Sequence, residues 1–92
     1  MARLIIKVRV AYPNTLLNAF NSQSAERRSA GERGVSICFN PDDPNITYFF
    51  LDWDSVFNVR TFWLSSAAKA QMIAWNPVGA PDVLVLEELA QT

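Results

Sequence analysis

Two segments of this chain, 46–53 and 83–89, alternate like strands yet are apolar on both sides. In the first, Ile46, Tyr48 and Phe50 fall on one face and Phe49, Leu51 and Trp53 on the other. In the second, Val83 and Val85 oppose Leu84 and Leu86. A strand of this kind has to be covered from both sides. A chain of 92 residues has material for one domain and one layer of helices. One face of its sheet is therefore left for something else to cover.

The remaining pattern supplies the partners of those strands. Residues 3–10 alternate, with Leu4, Ile6, Val8 and Val10 on one face and Arg3, Ile5, Lys7 and Arg9 on the other, which predicts a strand. Pro13 and Asn14 stop it, and Asn14 or Thr15 is placed to cap a helix running from Leu16 to about Ala30. Gly31 suits the end of that helix. A second strand over 34–40 puts Val35, Ile37 and Phe39 on one face. Six turn-forming residues, 40–45, then make a hairpin loop before the strand at 46–53. Asp54 or Ser55 caps the next helix, where Val56, Val59, Phe62 and Trp63 recur at helical spacing. Ser65 and Ser66 mark a further cap, and a shorter helix over 67–75 ends before Pro77, Gly79 and Pro81. The order βαββα(α)β predicts a single ferredoxin-like α+β domain, a four-stranded antiparallel sheet with helices on one face. The outer face, apolar in two strands, predicts a second sheet packed against it in a dimeric α/β barrel.

Composition narrows the function. Half of the residues are hydrophobic and only 18% are charged, which favours association with a second copy. The net charge of −1 and the lack of a basic block argue against nucleic acid, and no apolar run is long enough to span a bilayer. With no secretory signal pattern and a single Cys38, a cytoplasmic location is expected. The chain has no His, which removes histidine-based nucleophilic triads and makes the usual zinc sites and proximally ligated haem poor expectations. No metal and no cofactor is expected.

Several stretches then resemble a known family. GERG opens the second strand, NPDDPN forms the hairpin, FFLDWDS runs the third strand into a helix, and K-x-x-M followed by VGAPDVLVLEEL closes the chain. Together they resemble the dimeric α/β-barrel superfamily, and within it small proteins similar to antibiotic biosynthesis monooxygenases. The resemblance implies a homodimer with a pocket in each subunit between helices and sheet. In some members it implies oxidation of polycyclic aromatic substrates without metal or flavin, by Asn, Trp and Tyr. Others degrade haem with an Asn, a Trp and a His, a pattern this His-free chain departs from.

On that basis Asn58, Trp63 and Tyr48 are the candidate catalytic residues, positioning a substrate and stabilising an enolate. Phe62, Met72, Trp75 and Arg9 are candidate substrate contacts. Each has a plainer alternative: Asn58 as a solvent-facing helix residue, the tryptophans as core or dimer packing, Tyr48 as a strand packing residue. Asn58 and Trp63 are five residues apart, which turns them roughly 500° around a helix and onto partly different faces. Arg9 and Lys7 need carboxylate partners if the outer face is covered, with Asp52, Glu87 or Glu88 available. Asp52 and Asp54 look more like helix-capping groups than a catalytic pair, and Cys38 like a small buried strand residue. Two functions remain open: a homodimeric small-molecule protein performing cofactor-independent oxidation or cyclisation of an aromatic compound, and a non-catalytic dimer that binds a metabolite or a protein.

Overall fold

The computed structural model describes residues 1–90. Strands β1 (Ala2–Arg9), β2 (Glu32–Asn40), β3 (Asp43–Trp53) and β4 (Asp82–Glu87) form one antiparallel sheet in the order β2-β3-β1-β4. Helices α1 (Pro13–Ser22), α2 (Ser24–Ala30), α3 (Val56–Trp63) and α4 (Ser66–Ala74) connect them. This is the expected ferredoxin-like α+β arrangement.

Period-two patterning sorts the strands into two faces. Leu4, Ile6, Val8 and Val10 of the β1 segment and Phe49, Leu51 and Trp53 of β3 point to the helices and are fully buried. Phe20 and Leu16 of α1, Val59 and Phe62 of α3, Ala68 of α4 and Trp75 close over them. Phe20 stacks on Phe49 at 4.4 Å between ring centroids, and Phe49 on Trp75 at 5.5 Å. Both are within the range in which ring pairs add to simple burial.

The helix expected to run unbroken from Leu16 to about Ala30 is two helices joined at Gln23. The carbonyl of Phe20 accepts from the Gln23 N–H and from Arg27 Nη1, so it closes a turn and receives a side chain instead of continuing the helix ladder. The break brings the Arg27 guanidinium over the Phe20 ring, 3.5 Å from its centroid, and onto Glu32 at the start of β2. Arg27, a basic residue in the last turn of α2, is only 3% exposed. The start of α1 also differs from expectation. Tyr12 is the N-cap without a side-chain bond and Pro13 takes the first helical turn, leaving the Asn14 amide free of any capping duty.

The hairpin is tighter than its six turn-forming residues suggest. Only Pro41 and Asp42 turn, and Asn40 already pairs with Asp43. The Asn40 side chain accepts from the Asp42 N–H at 2.9 Å, and Asn45 Nδ2 donates to the carbonyls of Val10 and Ala11, tying β3 to the end of β1. Ser55 and Ser65 cap α3 and α4 as expected, accepting from the N–H groups of Asn58 and Ala68, so 56–74 is two helices.

Gly31 ends α2 at φ +133°, and a Cβ there would sit 2.5 Å from Asp54 Oδ1. Gly79, at φ +81°, has open space around it. Gly31→Ala therefore meets backbone strain and a clash that pushes Asp54 off its partners, whereas Gly79→Ala meets strain alone. We expect Gly31→Ala to lower stability by about 2–3 kcal/mol and Gly79→Ala by about 1 kcal/mol, read from urea midpoints at unchanged slope.

Candidate ligand cleft

The helix side of the sheet is closed under α3 and α4 and open under α1. A cleft of about 380 Å³ lies there between the first turns of α1 (Pro13, Asn14, Leu17), β2 (Ile37, Cys38, Phe39) and the start of β3 (Pro44, Thr47). Its place follows from the strand order. β2 is an edge strand, and α1 sits inboard over β3, so the outer half of β2 has no helix above it. Phe39, on the helix-facing side of β2, is left 64% exposed and walls the cleft.

The lining carries no carboxylate, ammonium or guanidinium group. Asp43 beside it is neutralised by Arg9 at 2.9 Å on the other face of the sheet. Two polar side chains reach the cleft at different depths. Asn14 stands at the mouth, exposed. Thr47 belongs to the floor and is 3% exposed. Mostly apolar walls with a few placed polar groups are what small-molecule sites are made of, and the volume is at the lower end of their range.

The residues singled out from sequence lie elsewhere and in three places. Phe62, Trp63 and Trp75 form one aromatic cluster, Phe62 and Trp75 each within 6.5 Å of Trp63, with Met72 packed against the same core. Trp75 is buried and Trp63 half-buried. The indole N–H of Trp75, like that of Trp53, has no partner, and nothing in the structure explains it. Asn58 is on α3, with its Nδ2 turned to both carboxylate oxygens of Asp54 at 3.0 Å. One carboxylate engages that amide nitrogen from one side, so the second N–H and the amide oxygen are what Asn58 has left for another partner. Tyr48 and Arg9 are on the opposite, outer face of the sheet from Trp63.

Other expectations are corrected at the same time. Asp52 pairs with Arg3 at 3.0 Å and Asp54 with Asn58 and Arg33, so neither caps a helix, and the partner of Arg9 is Asp43. Cys38 is exposed, because β2 is an edge strand. Asn14, read in sequence as a cap, and Leu17 of α1 are cleft residues. Periodicity assigns a residue to a face, but it does not say how far the helix above that face extends.

The outer face has its own chemistry. Ile5 pairs across to Phe50 on one side and Leu84 on the other, and Arg3 to Leu86. Phe50 is 37%, Leu84 58% and Leu86 46% exposed. Around this apolar centre charges sit opposite one another in register, Arg3 with Asp52 and Lys7 with Asp82. A second, smaller cavity of about 300 Å³ at the end of this face is crossed by the Arg3–Asp52 pair. Among the described residues no helix is long and apolar enough to cross a membrane, and no group of three or more metal-ligating side chains occurs.

No family model matches the chain, and no curated protein matches it by sequence. Solved structures match over nearly its whole length. It is similar to SnoaB, a cofactor-independent oxygenase from Streptomyces nogalater, with a TM-score of 0.80, 13% identity, and 99% of this chain and 94% of that one covered. It is similar to an antibiotic biosynthesis monooxygenase with a TM-score of 0.76 at 10% identity, covering 98% and 100% of the two chains. A conserved protein from Methanosarcina mazei Go1 matches with a TM-score of 0.75 at 14% identity, covering 95% and 91%. The chain has the fold of the antibiotic biosynthesis monooxygenases, as the sequence resemblance implies.

Proposed function

We propose that this protein is a homodimer that binds a small apolar or aromatic molecule in the cleft under α1. The observation that carries the ligand is the uncharged, largely apolar lining of that cleft. The dimer is supported by the apolar centre of the outer sheet face, framed by charges that already have cross-strand partners. Such a face is matched by its own copy about a two-fold axis, apolar centre on apolar centre. Native mass spectrometry tests this part: a species at twice 10.3 kDa is expected. A species at the single mass overturns the dimer.

The reaction such a protein would host is oxygenation of an electron-rich aromatic substrate without a cofactor. One oxygen atom enters the ring as a carbonyl and the other leaves as water, with the substrate supplying the electrons. The fold shared with a cofactor-independent oxygenase supports this reading by analogy. A quinol-type substrate is then expected to drive oxygen uptake above the buffer rate. Uptake that persists unchanged in Asn58→Ala and Trp63→Phe would remove both residues from the chemistry.

A second reading, a non-catalytic binding dimer, is favoured by one observation. Asn58 is engaged by Asp54, and Tyr48 lies across the sheet from Trp63, so the three do not share a cavity within one subunit. No oxygen uptake with any quinol, in protein that still binds ligand, selects this reading.

A further inference from the structure

The stretch between the third and the last strand has a charge pattern of its own. From Ser55 to Pro81 there is no Asp or Glu, and the only charged residues are Arg60 and Lys69, in a chain whose net charge is −1. That stretch builds α3 and α4. Val59 and Phe62 of α3 turn inward and are buried, as are Ala68 and Gln71 of α4. At about 100° per residue, the opposite side of α3 carries Phe57, Arg60 and Leu64, and that of α4 carries Lys69 and Ile73. Phe57, Leu64 and Ile73 are 76%, 75% and 77% exposed. Three large apolar side chains thus stand out into solvent, with one cation beside them on each helix. Neither Arg60 nor Lys69 pairs with a carboxylate among the described residues. Asp54 and Glu26, at the margins of these helices, are already engaged, Asp54 by Asn58 and Arg33 and Glu26 by the buried Gln71 amide at 3.0 Å. The surface lies on the far side of the helix layer from the outer sheet face, so the proposed dimer leaves it open.

The charges and the shape together select the occupant. Two cations without partners call for an anionic surface. A partner helix would need a groove to receive it, and the two cavities of this molecule lie under α1 and at the end of the outer face. Apolar side chains that protrude beside cations suit a lipid surface instead. There the apolar groups sink among the headgroups while the cations stay level with the phosphates. We propose that the α3–α4 face docks this protein on an anionic lipid bilayer, through Phe57, Leu64 and Ile73 with Arg60 and Lys69 on the lipid phosphates. The contact is peripheral, since neither helix is long enough to cross a membrane. It needs neither the ligand cleft nor the dimer, so its failure would leave both readings standing.

The test is co-sedimentation of the full chain with vesicles of phosphatidylcholine alone and of phosphatidylcholine mixed with phosphatidylglycerol. The anionic vesicles are expected to bind roughly 30-fold more tightly, about fivefold for each basic side chain near the surface. Arg60→Gln/Lys69→Gln should erase that difference. Phe57→Asp and Ile73→Asp should each lower binding at least about tenfold, since each removes inserted apolar area and adds a repelled charge. Both positions are exposed, and an unchanged far-ultraviolet dichroism spectrum shows the variants folded. Lys7→Gln, which removes a cation from the outer sheet face, should leave binding as it was. Equal binding to the two vesicle types overturns the anionic partner. Anionic binding that survives Phe57→Asp and Ile73→Asp, or that falls as far in Lys7→Gln as in the double variant, overturns the assignment to this face. No binding to either vesicle overturns the lipid proposal outright, and self-association lost in Ile73→Asp would then give the face to a second copy.

Discussion

Glu32→Ala is expected to destabilise the protein by about 3–5 kcal/mol, a large share of the roughly 5–14 kcal/mol ordinary for a domain of this size. Glu32 and Arg27 form an ion pair with side chains only 5% and 3% exposed. Arg27 also donates to the Phe20 carbonyl and covers the Phe20 ring, so one guanidinium satisfies the joint between α1 and α2, the start of β2 and the edge of the aromatic core. Removing the carboxylate leaves that charge buried with a neutral acceptor and a ring. The pair as a whole is worth far less than the cost of splitting it, because both ions were taken out of water to make it. The double variant Arg27→Met/Glu32→Leu should therefore recover most of the loss. Chemical denaturation of the two variants side by side is the check. A double variant as unstable as Glu32→Ala would mean that the Phe20 carbonyl, and not the charge balance, dominates.

Leu84→Asp is expected to convert the proposed dimer to a monomer. Leu84 is 58% exposed at the centre of the outer face, beside Ile5 and in line with Phe50. About a two-fold axis every substitution appears twice, so one change places two carboxylates in the same desolvated seam. Truncating a residue at the well-packed centre of an interface costs about 2 kcal/mol or more at the few positions that dominate binding. A buried, unpaired charge adds to that, and a shift of several kcal/mol moves a micromolar dimer well into the millimolar range. Within one subunit the substitution is mild, since Leu84 packs against no buried core. The readout is native mass together with far-ultraviolet dichroism: half the mass and an unchanged spectrum. Lys7→Gln, at the rim of the same face, should leave the mass unaltered at ordinary salt.

Much of this fold is legible in the sequence because most of its elements follow a single rule. Period-two alternation gives the strands, serines before apolar runs give α3 and α4, and two strands apolar on both sides give the uncovered face. The misses occur where a distant residue overrides a local pattern. Nothing in the residues around Arg27, in the last turn of α2, announces that Glu32 will fold back under it. The hairpin reads as a six-residue loop, because Pro44 and Asn45 have turn chemistry, yet Asn45 spends its amide on Val10 and Ala11 across the sheet. The candidate site was the least legible part. Trp, Tyr and Asn attract attention as chemical residues, but here they fill the core, face outward or bind one another. A cleft is a volume left over between elements, and it shows only once the edge strand and the helix that fails to cover it are in place.

The strand order has a consequence for how the chain is assembled. β2 and β3 form a tight local hairpin, whereas β1, the first strand made, lies between β3 and β4, with Ala2 opposite Glu87. Closing that last pairing spans nearly the whole chain, the kind of long loop closure that slows folding relative to local contacts. As the polypeptide leaves the ribosome, β1 therefore waits with one backbone edge unsatisfied until β4 emerges, and only then does the sheet become continuous.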